Sequence, residues 1–180
     1  ALYAKMDPQY PIPFRMDMFG IKARGIASGN LDLILNDREF AIGGALTVQN
    51  TLVTLDTRSM QAGSNATARR NPALPVSVNL DLITGRKVEF AWPSDDFPIV
   101  RAYADIGTGI LIKSDGADES FALNGDVVLR GGEVFYFQRS FYIREGVLRF
   151  NENELQFDPH IQIRAEIRDR SDDGPVTIAL

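Results

Sequence analysis

Strict alternation of apolar and polar residues is the feature that most constrains how this chain folds. It is clearest from Ile161 to Arg168, where Ile, Ile, Ala and Ile alternate with Gln, Arg, Glu and Arg. Because successive residues of a strand face opposite sides of a sheet, this pattern predicts one apolar and one solvated face. The same alternation recurs along most of the chain, and no stretch of a dozen residues has a helical period. The sequence therefore predicts an all-β protein of roughly ten to fourteen strands.

Residues that favour turns separate the alternating runs and predict hairpins between them. The predicted turns include Ser28-Gly29-Asn30, Asn36-Asp37, Gly43-Gly44, Thr84-Gly85-Arg86, Gly131-Gly132 and Glu145-Gly146, and Val88–Trp92 is predicted as the return strand after Arg86. Short connections of this kind imply antiparallel neighbours throughout. The exception is residues 57–72, which are small and polar without period two and are predicted to form a mobile loop within a single all-β domain, residues 1–180.

Composition and charge exclude several classes of protein. The chain has no cysteine, which excludes disulfides and thiolate metal sites. Its net charge of −5 is spread along the chain and gives no electrostatic footprint for nucleic acid. No run approaches the roughly 18 apolar residues of a membrane-spanning helix. Because the chain begins at Ala1 without a signal segment, we expect a mature or excised piece of a longer protein.

No group of residues has the pattern of a catalytic or metal site. His160 is the only histidine, so the sequence offers a single candidate for the base of a serine triad and too few histidines for a histidine-rich metal site. The acid pairs Asp95-Asp96 and Asp172-Asp173 lie in turn-like stretches, and Asp158-Pro159 is typical of the entry to a strand. The sequence therefore predicts that the protein is not an enzyme and has no cofactor and no metal site.

The order of motifs from about Leu74 to Ile178 resembles the C-terminal domain of TamB, a member of the AsmA-like group of bridge-forming envelope proteins. Two strand pairs, PVSVNLDLITGRKVEFAW and VRAYADIGTGILI, are followed by GDVVLRGGEVFYF. The aromatic run SFYIREGVLRF and the strand FDPHIQIRAEIRD then complete the order. The first seventy residues share the alternating strand pattern but none of these motifs.

This resemblance implies an elongated, mostly antiparallel curved sheet folded into a U-shaped trough with an apolar concave face. It implies a periplasmic protein that is anchored in the inner membrane by a segment outside this chain and contacts membranes through the full-length protein. The implied partners are phospholipid acyl chains and an Omp85-type outer-membrane protein, TamA- or BamA-like. The implied function is transport of phospholipid between the membranes in support of outer-membrane biogenesis.

An uncovered apolar face must be covered by something, and acyl chains do this without directional bonds. The residues predicted to line the lipid groove are Val76, Val78, Leu80, Val88, Phe90, Val100, Ala102, Ile110, Ile112, Phe121, Leu123, Phe141, Ile143, Leu148, Phe150, Ile161, Ile163 and Ile167. The pattern leaves open which of Phe135, Tyr136 and Phe137 faces inward.

Three other hypotheses are compatible with the residues. The second is a strand-pairing module that assists the translocation and assembly of outer-membrane or autotransporter barrels with the Omp85-type partner. The third is a closed β-sandwich that serves as an envelope spacer, in which the apolar stripe is simply core. An enzyme comes last, because no acid–base pair is apparent.

Overall fold

The protein is all-β, with twelve strands and no helix in the part of the chain that the computed structural model describes. That part comprises residues 2–18, 21–37, 39–55, 75–94, 96–115, 120–136, 138–153, 160–171 and 174–179. The strands are β1 Leu2–Met6, β2 Ile12–Met18, β3 Ile21–Leu35, β4 Phe40–Leu55, β5 Val76–Thr84, β6 Val88–Trp92, β7 Val100–Ala104, β8 Gly109–Asp115, β9 Ser120–Tyr136, β10 Arg139–Asn153, β11 His160–Ser171 and β12 Gly174–Ala179. The prediction of an all-β fold is confirmed. The predicted loop at 57–72 and the Asp158-Pro159 strand entry lie outside the described residues.

All twelve strands belong to one sheet, in the order β1-β3-β4-β5-β8-β9-β10-β11-β12. Three positions in this order hold two short strands end to end. Strands β1 and β2 both pair with β3, β5 and β6 both pair with β4, and β7 and β8 both pair with β9. One continuous sheet is not the arrangement of a two-sheet sandwich.

Two pairings are parallel, so the prediction of antiparallel neighbours throughout is wrong. Strand β5 starts beside the start of β4, with Val76 opposite Phe40, and both run in the same direction. Residues 56–75 supply a connection longer than the dozen or so residues that a parallel crossover needs. Strand β6 is not a return strand, because it continues parallel to β4 after Gly85–Lys87, with Val88 opposite Thr51. The remaining strand pairs are antiparallel, and the prediction of a curved, mostly antiparallel sheet is confirmed.

Several glycine-containing pairs that the sequence marks as turns lie inside long strands. Ser28-Gly29-Asn30 belongs to β3, Gly43-Gly44 to β4, Gly131-Gly132 to β9 and Glu145-Gly146 to β10. The hairpin between β9 and β10 instead follows Tyr136, which pairs with Arg139, and Gln138 has a φ of +63°. The predicted turn at Asn36-Asp37 is confirmed, and the amide of Asn36 donates to the Glu39 carbonyl.

Gly132 shows why glycine occurs inside these strands. Its φ is +147°, and a Cβ there would lie against the carbonyl oxygen of Arg101 and 2.7 Å from the Cα of Ala102 on β7. Only glycine lets the two backbones approach this closely without a clash. The residue therefore marks a close backbone approach in mid-strand rather than a reversal of the chain.

Irregularities in the strands lie side by side across the sheet, and we call them the bulge row. Two of them are the connections between strands that lie end to end, Gly85–Lys87 and Asp105–Thr108. The others are the positive-φ residue Asn50 in β4 and the register shift between Ile143 and Glu145 in β10. Backbone hydrogen bonds link neighbouring members, since the amide of Asn50 donates to the Arg86 carbonyl and that of Gly107 to the Thr84 carbonyl. Bulges bend and twist the strands that contain them. The bulge row thus places bends on adjacent strands at one level of the sheet.

The side chains of one face of the sheet, which we call the core face, form the hydrophobic core. Phe141 and Ile143 are buried before the register shift in β10, and Leu148 and Phe150 are buried after it. The extra residue at the shift changes the parity of the strand, so that odd-numbered and then even-numbered residues reach the same face. Val134 packs against this core, whereas Phe135 and Tyr136 are exposed, and Phe137 is outside the described residues.

Candidate functional site: an apolar cavity on the core face

A cavity of about 400 Å³ lies against the core face and is partly open to solvent. Among the described residues, the lining consists of two threonines and of apolar residues: Met6, Ile12, Phe14, Met16, Ile21, Ala23, Ala27, Leu31, Ile42, Leu46, Val48, Val53, Leu55, Val78, Leu80, Leu82, Val88, Phe90, Ile110, Ile112, Leu123 and Phe150. Its volume falls within the roughly 300–1,000 Å³ typical of small-molecule sites. The cavity can therefore hold an apolar ligand of moderate size.

The curvature of the sheet brings distant strands to this cavity. Met6 on β1 and Phe150 on β10 both line it, although five strands separate β1 from β10 in the sheet order. Alternation places the lining residues on one face of each strand, as with Val78, Leu80 and Leu82 on β5. The side chains that alternate with them, those of Asn79, Asp81 and Ile83, are exposed on the opposite face.

The two polar residues of the lining make hydrogen bonds within the protein. The hydroxyl of Thr51 donates to the Gln49 carbonyl at 2.8 Å. The hydroxyl of Thr84 lies 2.6 Å from the Asp105 carbonyl and accepts from the Thr108 amide at 3.0 Å. None of the lining residues in the described part of the chain has an ionisable side chain. Recognition in this space therefore depends on apolar area and shape rather than on polar contacts.

The structure places most of the predicted groove residues in or beside the cavity. Those that line it are Val78, Leu80, Val88, Phe90, Ile110, Ile112, Leu123 and Phe150. A small adjacent cavity of about 20 Å³ is lined by Phe90 again, with Val100, Ala102, Leu148 and Ile161. Phe141, Ile143, Ile163 and Ile167 belong to the same core or pack against it. Val76 is exposed at the start of β5, and the side chain of Phe121 lies outside the described part of the chain.

The sequence analysis missed the N-terminal half of the lining. Phe14 and Met16 on β2, Ile21 and Ala23 on β3, and Ile42 and Leu46 on β4 all line the cavity. The signal was present, because Phe14 and Met16 alternate with Arg15 and Asp17. The motifs that carry the resemblance begin only at about Leu74 and therefore do not cover these strands.

The opposite face of the sheet, which we call the outer face, carries cross-strand ion pairs. Arg149 on β10 lies 3.2 Å from Asp126 on β9, and Arg101 on β7 lies 2.8 Å from Glu89 on β6. Arg144 and Arg164 make similar contacts with Glu166, and both arginines are exposed. The Arg149–Asp126 pair is exposed on both sides, and exposed pairs of this kind contribute about 0–1 kcal/mol each. They mark a solvated surface and not a reactive site.

The described residues hold no cluster of three or more histidine, aspartate or glutamate side chains placed to bind a metal ion. His160 begins β11 opposite Arg149 and is exposed. Within the same part of the chain, no helix is long and apolar enough to cross a membrane.

The fold and the cavity define a class: an all-β protein in which a single curved sheet lines an apolar cavity. Residues 15–180 match the family of the TamB C-terminal domain, and the chain belongs to that family. No curated protein matches the sequence. The family is a transport and assembly module of the Gram-negative envelope and not a known enzyme family, so this chain is a TamB-like protein of envelope biogenesis.

Proposed function

We propose that the apolar cavity is a segment of a lipid groove in the periplasm, along which phospholipid acyl chains pass between the inner and outer membranes. The observation that carries this proposal is the lining formed by the described residues, which is apolar apart from two threonines with hydrogen bonds inside the protein. Each acyl methylene that leaves water there gains about 0.8 kcal/mol. Headgroups stay at the opening in water, and little headgroup selectivity is expected.

The proposal extends the cavity into a trough along the core face. The side chains of Leu80, Leu82 and Ile110 support this extension, because they line the cavity and are only half-buried. A ligand that covered them would remove further apolar area from water. In this arrangement the charged outer face stays solvated while the core face holds the chains.

Leu82→Glu is expected to lower the amount of phospholipid recovered with the purified protein at least tenfold. The carboxylate would project into the apolar cavity, and burying an unpaired charge beside methylene groups costs more than the roughly 1.4 kcal/mol that corresponds to a factor of ten. Lipid recovery is measured by native mass spectrometry and by organic extraction of the same sample.

Ile83→Glu is the matched control, because Ile83 is the next residue of β5 and its side chain is exposed on the outer face. It introduces the same charge and the same loss of strand preference, and lipid recovery is expected to stay at the wild-type level. Urea unfolding of both variants establishes that they are folded. Equal lipid recovery from wild type and a folded Leu82→Glu protein would contradict the groove.

A second candidate function is strand pairing with an Omp85-type outer-membrane protein. The observation that favours it is the open order of the sheet, because β12 pairs only with β11 among the described strands, and β1 and β2 only with β3. An edge strand presents unpaired backbone groups to which another chain can add a strand.

A photo-cross-linking residue at position 177 in β12 tests the pairing hypothesis. We expect it to capture an Omp85-type protein in intact cells, whereas the same residue in place of Tyr103, on the interior strand β7, is expected to capture none. Capture from both positions, or from neither, would count against pairing at the edge.

A further inference from the structure

Four strands of the sheet begin or end side by side at one end of the molecule. Strand β6 ends at Trp92 and β7 starts at Val100, and the Ile99 amide donates to the Trp92 carbonyl at 2.6 Å. The Phe135 amide donates to the Ile99 carbonyl at 2.8 Å, which joins this loop to the end of β9. Strand β10 then begins beside β9, with Ser140 opposite Phe135.

Large apolar side chains at this end are exposed. We call Phe97, Ile99, Phe135 and Tyr136 the tip. The side chain of Phe97 is 86% exposed, and those of the other three are also exposed. The amide of Phe97 donates to the hydroxyl of Ser94, so the loop that presents this ring is held by a hydrogen bond. The tip is thus an exposed apolar surface at the end of the sheet. Trp92, which is half-buried, lies next to it, because its carbonyl accepts from the Ile99 amide.

The tip differs from the rest of the outer face. Ile99 and Phe135 follow the parity of that face, yet two residues further along β7 the face carries the Arg101–Glu89 ion pair. Tyr136 follows the parity of Val134, which packs against the core. Apolar groups therefore extend on both sides of the sheet at this end and beyond the strand ends at Phe97.

We propose that the tip contacts the interfacial region of a lipid bilayer. A protein partner would need a pocket that encloses the end of the sheet from both sides, whereas a bilayer surrounds a protruding end in every direction. Tyrosine and tryptophan are favoured at this depth, where the ring is apolar and the polar atom stays hydrated. Phenylalanine and isoleucine add apolar area below them. This contact requires no lipid in the cavity.

Charges of both signs are exposed at the tip, since Asp96 lies next to Phe97 and Arg139 lies opposite Tyr136. This mixture favours neither anionic nor cationic headgroups over about 8–10 Å at ordinary salt, so the contact depends on the apolar side chains. We therefore expect the tip to bind zwitterionic phosphatidylcholine vesicles.

Trp92 is the only tryptophan of the chain, and it also lines the small cavity, so the part of its response to vesicles that Phe97→Ser removes reports this contact. The expected result is a blue shift of Trp92 emission on addition of phosphatidylcholine vesicles, and quenching when the lipids carry bromine on their acyl chains. Flotation of the protein with the vesicles gives the partition coefficient independently. An unshifted, unquenched Trp92 in protein that does not float would overturn the proposal.

Phe97→Ser is expected to lower the vesicle partition coefficient about tenfold, the factor that corresponds to the lower part of the range for burying a phenylalanine side chain. Tyr10→Ser is the matched control. Tyr10 is 76% exposed, also follows a turn, and lies between β1 and β2 beside the middle of β3, away from the strand ends. Its partition coefficient should equal that of wild type, and an equal loss in both variants would overturn the proposal.

The same variants separate this proposal from the lipid groove. Phe97→Ser should retain wild-type recovery of extracted lipid while it loses vesicle binding. Leu82→Glu should lose extracted lipid while it still floats with vesicles. Loss of only one property in each variant supports two distinct sites, and loss of vesicle binding in Leu82→Glu as well as in Phe97→Ser would overturn a contact confined to the tip.

Discussion

Phe90→Ala is expected to lower the free energy of unfolding by about 3–5 kcal/mol, as is typical when a buried phenylalanine is truncated. Phe90 is buried at the centre of the sheet and pairs with Val53 on β4 and Ala102 on β7. Its ring also lines both the large and the small cavity. Truncation therefore removes apolar contacts and leaves an enlarged space beside two existing cavities, so little collapse can refill the site.

Urea unfolding followed by circular dichroism measures this loss. Tyr103→Ala is the control, because Tyr103 lies one strand away, pairs with Glu89 and is exposed on the outer face. Its loss is expected to be about 1 kcal/mol or less, since surface substitutions usually change stability little. Equal losses for the two variants would show that Phe90 is not the core residue that its burial indicates.

Phe90→Ala also bears on the lipid groove. If acyl chains occupy the cavity, the enlarged space binds them and the lipid-loaded variant regains part of the lost stability, because a ligand that binds only the folded state stabilises it. The stability of delipidated and lipid-loaded protein is compared for wild type and variant. The gain on loading is expected to be larger in the variant.

The period-two pattern predicted the fold class and the buried face of most strands. Successive residues of a strand point to opposite faces, so the polarity of each residue indicates its face. The burial of Val88, Phe90, Ala102 and Ile112 therefore follows from local sequence alone. Even the change of parity between Ile143 and Leu148 is visible in the sequence, because the apolar residues themselves change parity.

Strand pairing was harder to predict from the sequence, because it depends on residues that are far apart in the chain. Gly85 looks like a hairpin turn in sequence, yet β6 continues beside β4, and only the pairing of Val88 with Thr51 distinguishes the two outcomes. Glycine also has two uses that local sequence does not separate, a chain reversal and a close backbone approach. Gly132 has the second use.

The sequence predicts that the site is apolar, but it does not predict which strands contribute to it. The apolar surface of β5 to β11 follows from alternation, whereas the contribution of β1 to β4 depends on the curvature that brings Met6 and Phe150 to one cavity. That curvature accompanies the bulge row, whose members are far apart in sequence. The tip was missed for a similar reason, because Ile99 and Phe135 become neighbours only through the pairing of β7 with β9.

Thr84→Val is expected to lower the free energy of unfolding by about 2–3 kcal/mol, although it keeps the shape of the side chain. Thr84 is buried at the end of β5, where the chain passes into the bulge row. Its hydroxyl lies 2.6 Å from the Asp105 carbonyl and 3.0 Å from the Thr108 amide, which donates to it. Valine can replace neither bond, and each lost hydrogen bond removes about 0.5–1.5 kcal/mol, so the two losses together account for this destabilisation.

The backbone bonds around Thr84 show that its hydroxyl holds two interrupted strands together. The Thr84 amide donates to the Thr108 carbonyl at 2.8 Å, and the Gly107 amide donates to the Thr84 carbonyl at 2.7 Å. The Thr84 side chain thus connects two chain segments: the end of β5, where β5 passes into β6, and Asp105–Thr108, which joins β7 to β8. Because the bend depends on this bridge, Thr84→Val is expected to loosen Asp105–Thr108 before the rest of the sheet.

Hydrogen exchange of the Thr108 and Gly107 amides tests the local part of this prediction, and urea unfolding tests the global part. Thr84→Ser is the control, because it keeps the hydroxyl and removes only a methyl group, so Thr108 should stay protected. Protection of Thr108 that is lost in the valine variant and kept in the serine variant assigns the bend to the hydroxyl. If both variants keep it, packing rather than hydrogen bonding holds this part of the bulge row.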